Sequence, residues 1–194
     1  MYKRLILAST SPRRKQILTK FGFEFEIFAP GINENKVIKK TKTDDPYKIA
    51  TLLAFEKAKS AMQKFKSGLI VGADTIVVLG REIIGKPKSK KNAVEILKKL
   101  SDSTHKVITA IAIIDTETSR SLVTFDTSFV TFRKLKPKKI NDYVNNNNIM
   151  DKAGAYAIQE GADPFIKKIK GSYYNVVGFP IEKFKKIMRH WNEI

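Results

Sequence analysis

Short apolar runs alternate with polar interruptions along the chain, a pattern typical of mixed α/β proteins. The first run, Leu5–Ala8, is apolar at consecutive positions, as in a strand that is buried on both faces. Ser11 and the proline after it provide an N-cap and a first-turn proline, so a helix is predicted from there to about residue 20, closed by Gly22. Residues 23–28 alternate apolar and acidic side chains and predict a strand with one solvent-facing side.

A long helix is predicted in the second quarter of the chain. A polar segment without a predicted element extends through Asp44, after which Asp45 and Pro46 repeat the arrangement of cap and proline. Apolar residues then recur at helical spacing from Ile49 to Met62. The helix is therefore predicted to begin at Pro46.

A buried strand with a polar break follows this helix. Residues 69–73 are apolar, Asp74 and Thr75 interrupt them, and residues 76–79 resume the apolar run. The glycine and arginine that come next suit a hairpin turn into a short partner strand over 82–84.

The second half of the chain continues the alternation of helices and strands. The predicted elements are a helix from Ser89 through Leu100, a strand over 107–114, an antiparallel partner over 122–132, a short helix opening at Pro137, a polar loop over 145–148 and a basic amphipathic helix over 181–191. No internal repeat is visible. The order of elements implies a mixed α/β fold.

Length and composition limit the class of protein. A chain of 194 residues suits one domain, or one domain with two lobes, and 42% hydrophobic residues are enough for a packed core. Because the chain has no cysteine, it cannot form disulfides, an iron-sulfur cluster or a thiolate nucleophile. The 37 Lys and Arg against 19 Asp and Glu give a net charge of +18, which favours an anionic partner such as nucleic acid, a nucleotide or acidic lipid.

The apolar residues also bear on location. The amino-terminal run is much shorter than the apolar region of a signal peptide, and no stretch approaches the ~20 apolar residues that a membrane span needs. We therefore expect a cytoplasmic protein without a membrane anchor.

The segment Ser9–Arg14 is a candidate phosphate site, because it joins a buried strand to a helix amino terminus. Free backbone N–H groups and the positive end of the helix dipole favour an anion there, and Arg13 and Arg14 add planar donor groups suited to phosphate oxygens. A capped helix with solvated arginines is the alternative. Neither a P-loop nor a dinucleotide-binding glycine motif is present.

Asp74 is the strongest candidate for an acid-base group or a metal ligand. A carboxylate in an apolar strand must be paired, metal-bound or exposed at a strand end near a crevice. The alternative is a turn-forming aspartate at a strand break. Lys86, between a glycine and a proline, is placed to reach a phosphate or is a solvated turn residue.

Other charged residues carry weaker signals. Glu34, expected in the loop after the second strand, and Lys57, on the long helix, fit ordinary surface charges on local grounds. His105 and His190 are not spaced as metal ligands, and we interpret both as structural. The lysine-rich runs at 88–91 and 183–186 lack interleaved aromatic side chains and fit solvated helix surfaces better than a nucleic-acid groove.

Taken together, these segments resemble the Maf family of nucleoside triphosphate pyrophosphatases. The matching blocks occur in family order across nearly the whole chain, and it is their number and order that makes the resemblance specific. They are residues 7–14 (LASTSPRR), 71–75 (VGADT), 85–87 (GKP), 151–159 (DKAGAYAIQ) and 169–180 (IKGSYYNVVGFP).

The resemblance implies a fold and an activity. The fold would be a twisted mixed sheet flanked by helices, similar to Maf and inosine triphosphatase proteins, forming one domain over 1–194 with two lobes, a central cleft and a homodimeric assembly. The activity would be hydrolysis of the α-β phosphoanhydride of a nucleoside triphosphate, with Mg²⁺ or Mn²⁺, to the monophosphate and pyrophosphate. The pattern around residues 156–159 and 171–173 is similar to the branch that acts on dTTP and UTP.

The resemblance also implies roles for individual residues. Asp74 would be the catalytic base and, with Glu34, a metal ligand, and the amide of Gln159 would read the base edge. The remaining substrate-binding positions would be Ser9, Arg13, Arg14, Lys57, Thr75 and Lys86, of which Arg13 and Thr75 would contribute, with Gln159, to substrate preference.

Two departures and two rival functions accompany this interpretation. Asn33 stands before Glu34 where an acidic residue is common, and Glu160 follows Gln159 where glycine is usual. The rivals are a nucleic-acid-binding protein that uses the basic surface and a nucleotide sensor that binds a triphosphate without cutting it. Metal-dependent release of pyrophosphate would distinguish the enzyme from both.

Overall fold

The computed structural model describes residues 3–191. The helices and strands, in chain order, are β1 (Leu5–Ala8), α1 (Pro12–Lys20), β2 (Glu26–Phe28), α2 (Glu34–Thr41), α3 (Pro46–Ala61), β3 (Leu69–Leu79), β4 (Glu82–Ile84), α4 (Lys90–Leu100), β5 (Thr104–Asp115), β6 (Ser121–Phe132), α5 (Pro137–Asn146), β7 (Ile166–Lys170), α6 (Tyr173–Val177) and α7 (Ile181–Arg189). Short 3₁₀ turns occupy Ala153–Ala155, Ile158–Glu160 and Asp163–Phe165.

Within residues 3–191 the strands form a seven-stranded mixed sheet in the order β2-β1-β3-β5-β6-β7, with β4 paired to β3. β1 runs parallel to both β2 and β3, whereas β4 and β7 run antiparallel to β3 and β6. Parallel pairs need long crossovers, and helices α1 and α3 lie in the connections that link β1 to β2 and β2 to β3. The predicted α/β class with a mixed sheet flanked by helices is confirmed.

The described chain divides into two compact units. The first contains Asp74 and the described residues before it, Thr109–Asp126 and residues 178–191. Its core includes β1, which is buried along its whole length, and one face of α3. At Gly72 an added Cβ would overlap the carbonyl oxygen of Ala54 and lie 2.6 Å from the backbone nitrogen of Ala58, so α3 packs directly on the backbone of β3.

The second unit contains Thr75–Ile108 and Thr127–Val177. Its core joins apolar residues of α4, β6 and α5 to a group of aromatic rings. The ring of Phe132 lies at the centre of this group, with centroid distances of 4.9 Å to Tyr156, 5.0 Å to His105 and 6.0 Å to Phe165. Edge-on contacts of this kind add stabilisation beyond the buried area.

A buried asparagine ties three segments of the second unit together. The side-chain nitrogen of Asn175 donates to the carbonyl oxygen of Val107 at 2.9 Å and to Oγ of Ser128 at 3.0 Å. Ser128 Oγ donates in turn to the carbonyl oxygen of Ser172 at 2.9 Å. Gly171 has φ of +114°, and a Cβ there would lie 2.7 Å from Ser128 Oγ, so this turn admits only glycine without rearrangement.

Most predicted helices are confirmed, because caps and first-turn prolines mark their starts. Helices α1, α3, α4 and α5 begin where the sequence predicts. No element is predicted in the polar segment that extends through residue 44, yet α2 lies within it and starts at Glu34. None of the side chains of α2 is buried, so no apolar face revealed this helix.

The predicted break in the third strand is wrong. β3 is continuous from Leu69 to Leu79 and carries Asp74 and Thr75 in its interior. The second strand is shorter than predicted and covers only Glu26–Phe28. Two helix ends also differ, since α5 extends to Asn146 into the predicted loop over 145–148 and α7 ends at Arg189.

Among residues 3–191, none of the helices has the length and apolar character that crossing a membrane requires.

Candidate active site

The end of β1 and the start of α1 hold Arg14 in a defined position. Ser9, which is buried, accepts a hydrogen bond from the backbone N–H of Ser11 at 3.2 Å and another from Nη1 of Arg14 at 3.1 Å. Nε of Arg14 donates to the carbonyl oxygen of Gly178 at 2.9 Å. Ser11 occupies the N-cap position, but its side chain makes no capping bond. The Ser9 hydroxyl thus organises this segment.

Lys57 links two carboxylates in the interior of the same unit. Its ammonium nitrogen lies 2.6 Å from Oδ1 of Asp74 and 2.8 Å from Oε1 of Glu34. Lys57 and Asp74 have side chains that are each only 10% exposed, whereas Glu34 is 32% exposed. The interpretation of Lys57 as an ordinary surface charge is therefore wrong, because this ammonium is buried between two acidic partners.

The environment of Asp74 alters its acidity. Burial raises the pKa of the Asp74 carboxyl above its ordinary value, and the nearby charge of Glu34 acts in the same direction, while the positive charges of Lys57 and Arg14 oppose it. Burial lowers the pKa of the Arg14 guanidinium, and the charge of Arg13 acts in the same direction. The Arg14 guanidinium is therefore electrostatically coupled to both carboxylates, Asp74 and Glu34.

Glu34 differs from its predicted setting. It is the first residue of α2 and not part of a loop, and Asn33 caps this helix by accepting a hydrogen bond from the backbone N–H of Lys36 at 3.0 Å. The asparagine that departs from the family pattern therefore has a structural role. A negative charge in the first turn also suits the positive end of the helix dipole.

The two carboxylates that contact Lys57 suit a metal ion whose coordination the substrate completes. Among residues 3–191, no cluster of three or more His, Cys, Asp or Glu side chains could hold a metal ion. Mg²⁺ is commonly bound by one or two carboxylates together with substrate phosphates and water. Glu34 and Asp74, which share Lys57, supply two carboxylates and so fit a Mg²⁺ or Mn²⁺ ion completed by phosphate oxygens.

Four further predicted site residues are described by the elements that carry them. Arg13 is half-buried on α1, one position before Arg14. Thr75, Lys86 and Gln159 belong to the second unit. Thr75 is half-buried on β3, Lys86 is exposed in the loop after β4, and Gln159 is exposed in the 3₁₀ turn Ile158–Glu160. The loop around Lys86 is fixed by the Gly154 N–H, which donates to the carbonyl oxygen of Gly85 at 3.2 Å.

The structure therefore brings five predicted site residues together in the first unit. They are Ser9, Arg14, Glu34, Lys57 and Asp74. A residue outside the predicted site, Gly178, orients Arg14 through its carbonyl oxygen. Its signals in the sequence are its place in the block 169–180 and the Phe-Pro pair that follows it, and its backbone has φ of +119°.

Comparison with known proteins identifies the family. The family model described as Maf-like protein matches residues 4–191. A protein of Aquifex aeolicus named dTTP/UTP pyrophosphatase is 44% identical over 189 residues, which cover 97% of this chain and 96% of the relative. Relatives with the same name from Alkaliphilus oremlandii and Salmonella typhimurium are 43% and 40% identical, covering 99% and 98% of this chain and 98% and 94% of their own lengths. The chain therefore belongs to the Maf-like protein family.

Proposed function

We propose that this protein is a nucleotide pyrophosphatase that hydrolyses dTTP and UTP to the monophosphate and pyrophosphate. The names of its relatives, which are 36–44% identical over nearly the whole chain, support this substrate choice. The observation that carries the chemistry is the buried Asp74 carboxylate, 2.6 Å from the Lys57 ammonium and electrostatically coupled to Arg14.

In the proposed reaction, cationic side chains bind the triphosphate and Asp74 acts on water. Arg13 and Arg14 neutralise phosphate oxygens, and Lys57 holds the Asp74 carboxylate in place. Asp74 accepts a proton from a water molecule whose oxygen attacks the α-phosphorus, the bond from that phosphorus to the bridging oxygen breaks, and pyrophosphate leaves. The raised pKa of Asp74 favours this role, because a general base works best with a pKa near the working pH.

A divalent cation is part of the proposal. Mg²⁺ or Mn²⁺ held by Glu34 and Asp74 would neutralise negative charge on the phosphates. Stabilisation of this charge and positioning of the substrate supply most of the remaining rate enhancement.

The remaining substrate contacts in the proposal are taken from the resemblance to the family. Lys86 would bind a phosphate, and the amide of Gln159 would both donate to and accept from the edge of a pyrimidine base. Thr75 and Arg13 would contribute to substrate preference. A homodimer acting in the cytoplasm is a further part of the proposal, for which sedimentation analysis and cell fractionation are the tests.

The test is release of pyrophosphate over a panel of nucleoside triphosphates, with Mg²⁺, Mn²⁺ or EDTA. We expect turnover of dTTP and UTP that needs the metal, and a loss of about 10² to 10⁴ in rate for Asp74→Asn with nucleotide binding retained. Binding without turnover in the parent protein would favour a nucleotide sensor, and salt-dependent nucleic-acid binding without turnover would favour the other rival. Equal rates for purine and pyrimidine nucleotides would refute the substrate assignment.

A further inference from the structure

Lys152, in the second unit, is a buried lysine with all its donors used. Its side chain is 4% exposed, and Nζ lies 2.8 Å from Oδ1 of Asp151 and 2.9 Å from Oε2 of Glu160. It also donates to the carbonyl oxygen of Asn148. An ammonium group has three N–H donors, so these three acceptors satisfy it completely.

Contacts with Tyr143 and Lys152 fix the two ends of the turn that carries Gln159. Glu160 is the last residue of the 3₁₀ turn Ile158–Glu160, and its N–H donates to the carbonyl oxygen of Ala157 at 3.1 Å. The N–H of Ala157 donates to the hydroxyl group of Tyr143 at 3.1 Å. The turn is thus held at its start by a tyrosine and at its end by the Lys152 ammonium, while Gln159 is exposed between them.

The backbone explains why a glutamate is tolerated at position 160. Among the described residues other than glycine, positive φ occurs at Lys42, Asp102, Ser119 and Ala155, so Glu160 adopts an ordinary conformation. The left-handed position is taken by Gly161, with φ of +83°. The backbone at residue 160 therefore does not require glycine, and the glutamate side chain there forms an ion pair with the buried Lys152 ammonium.

We propose that Lys152 and Glu160 are positioning residues that hold Gln159 in the orientation from which its amide selects a pyrimidine base. This inference rests on the proposed function, since it assigns base recognition to Gln159. Loss of the Glu160 charge removes one of the carboxylates that compensate the buried Lys152 ammonium and leaves Asp151 in place, which weakens the local structure. Gln159 would then sample several orientations and discriminate less between bases.

The test compares Glu160→Gln with a matched control, Glu82→Gln. Glu82 pairs with Lys99 at 2.8 Å in the same unit, but both of these side chains are more than half exposed, so their ion pair should contribute little. Amide hydrogen exchange over residues 157–161 is measured first, because it needs no catalysis. We expect about tenfold faster exchange in Glu160→Gln and no change in Glu82→Gln.

The second measurement is steady-state kinetics with dTTP and dGTP. For Glu160→Gln we expect KM for dTTP to rise and the ratio of kcat/KM for dTTP to that for dGTP to fall about fivefold or more, with kcat nearly unchanged. Glu160→Asp, which keeps the charge, should recover part of this ratio. A merely structural role would lower turnover of both nucleotides equally and leave the ratio unchanged.

The outcomes separate the two proposals. Unchanged exchange in Glu160→Gln, or faster exchange with an unchanged nucleotide ratio, overturns the positioning role. A parent protein that releases pyrophosphate from no nucleotide refutes the proposed function instead, and the role in base selection falls with it. Lys152→Met serves as a second disruption of the pair, with circular dichroism to confirm that the variant is folded.

Discussion

Acidification is expected to destabilise the second unit through His105. The imidazole is 1% exposed and packs edge-on against Phe132 and Tyr156, with Nε2 lying 2.7 Å from the Tyr156 hydroxyl oxygen. No partner for Nδ1 is found among the described residues. Burial in this apolar pocket disfavours the charged form and lowers the pKa of His105 from 6.5 to about 4.

Whether acid raises or lowers the free energy of unfolding depends on which state, folded or unfolded, binds the proton of His105 more readily. Above pH 6.5 the histidine is neutral in both the folded and the unfolded chain, so it adds no pH dependence. Between pH 6.5 and about 4 the unfolded chain binds a proton and the folded chain does not, so the free energy of unfolding falls as the pH falls. A difference of about 2.5 pKa units corresponds to a loss of about 3 kcal/mol once the pH reaches 4.

Urea unfolding at a series of pH values checks this expectation in the parent, His105→Phe and His190→Gln. His105→Phe leaves the Tyr156 hydroxyl unpaired, so it should be less stable at pH 7 by about 1 to 3 kcal/mol. It should nevertheless lose less stability than the parent between pH 6.5 and 4. His190 is exposed, and its replacement should leave the slope unchanged. Equal slopes in the parent and His105→Phe would refute this reasoning.

Three further predictions concern one buried ion pair and two closely packed glycines. Lys57→Met removes the cation 2.6 Å from the buried carboxylate of Asp74, so urea unfolding should show a free energy of unfolding lower by about 3 kcal/mol. Adding Asp74→Asn removes the unpaired carboxylate, so the double variant should recover part of this loss. Gly72→Ala places a Cβ against the backbone of α3 and should lower the free energy of unfolding by about 1 to 3 kcal/mol in the same assay. Gly31 has open space around it, so Gly31→Ala is the control and should leave the stability unchanged. In Gly171→Ala the new Cβ would lie 2.7 Å from the Ser128 hydroxyl oxygen, on a backbone with positive φ, so the melting temperature should fall. An unchanged melting temperature would contradict the strain assigned to this position.

Local signals predicted the helices well and the irregular segments poorly. Proline and cap residues mark the starts of α1 and α3, so both could be located from the sequence. The strand β7 and the 3₁₀ turns between 153 and 165 gave no periodic pattern, because each is short and is held by contacts with distant residues. The Tyr143 hydroxyl, for example, fixes Ala157 from 14 residues away.

The candidate site divides in the same way. Asp74 could be singled out because a carboxylate in an apolar run needs a partner. The identity of that partner could not be predicted from local sequence, since Lys57 lies 17 residues earlier on a helix whose orientation depends on tertiary packing. Glu34 was placed in a loop for a different reason, because α2 buries no side chain and so shows no apolar face that would indicate a helix.

The pairing of Lys57 with Asp74 depends on how closely α3 approaches β3. Gly72 and Asp74 are two positions apart and therefore point to the same face of the strand. Ala54 and Ala58 lie one turn apart on α3, on the face that contacts Gly72, and Lys57 stands between them in sequence. Small side chains on both elements bring the two backbones together, so that the lysine chain spans the remaining distance and its ammonium reaches the carboxylate. The glycine and the two alanines thus serve the proposed chemistry indirectly, because a larger residue at any of these positions would separate the charges that form the site.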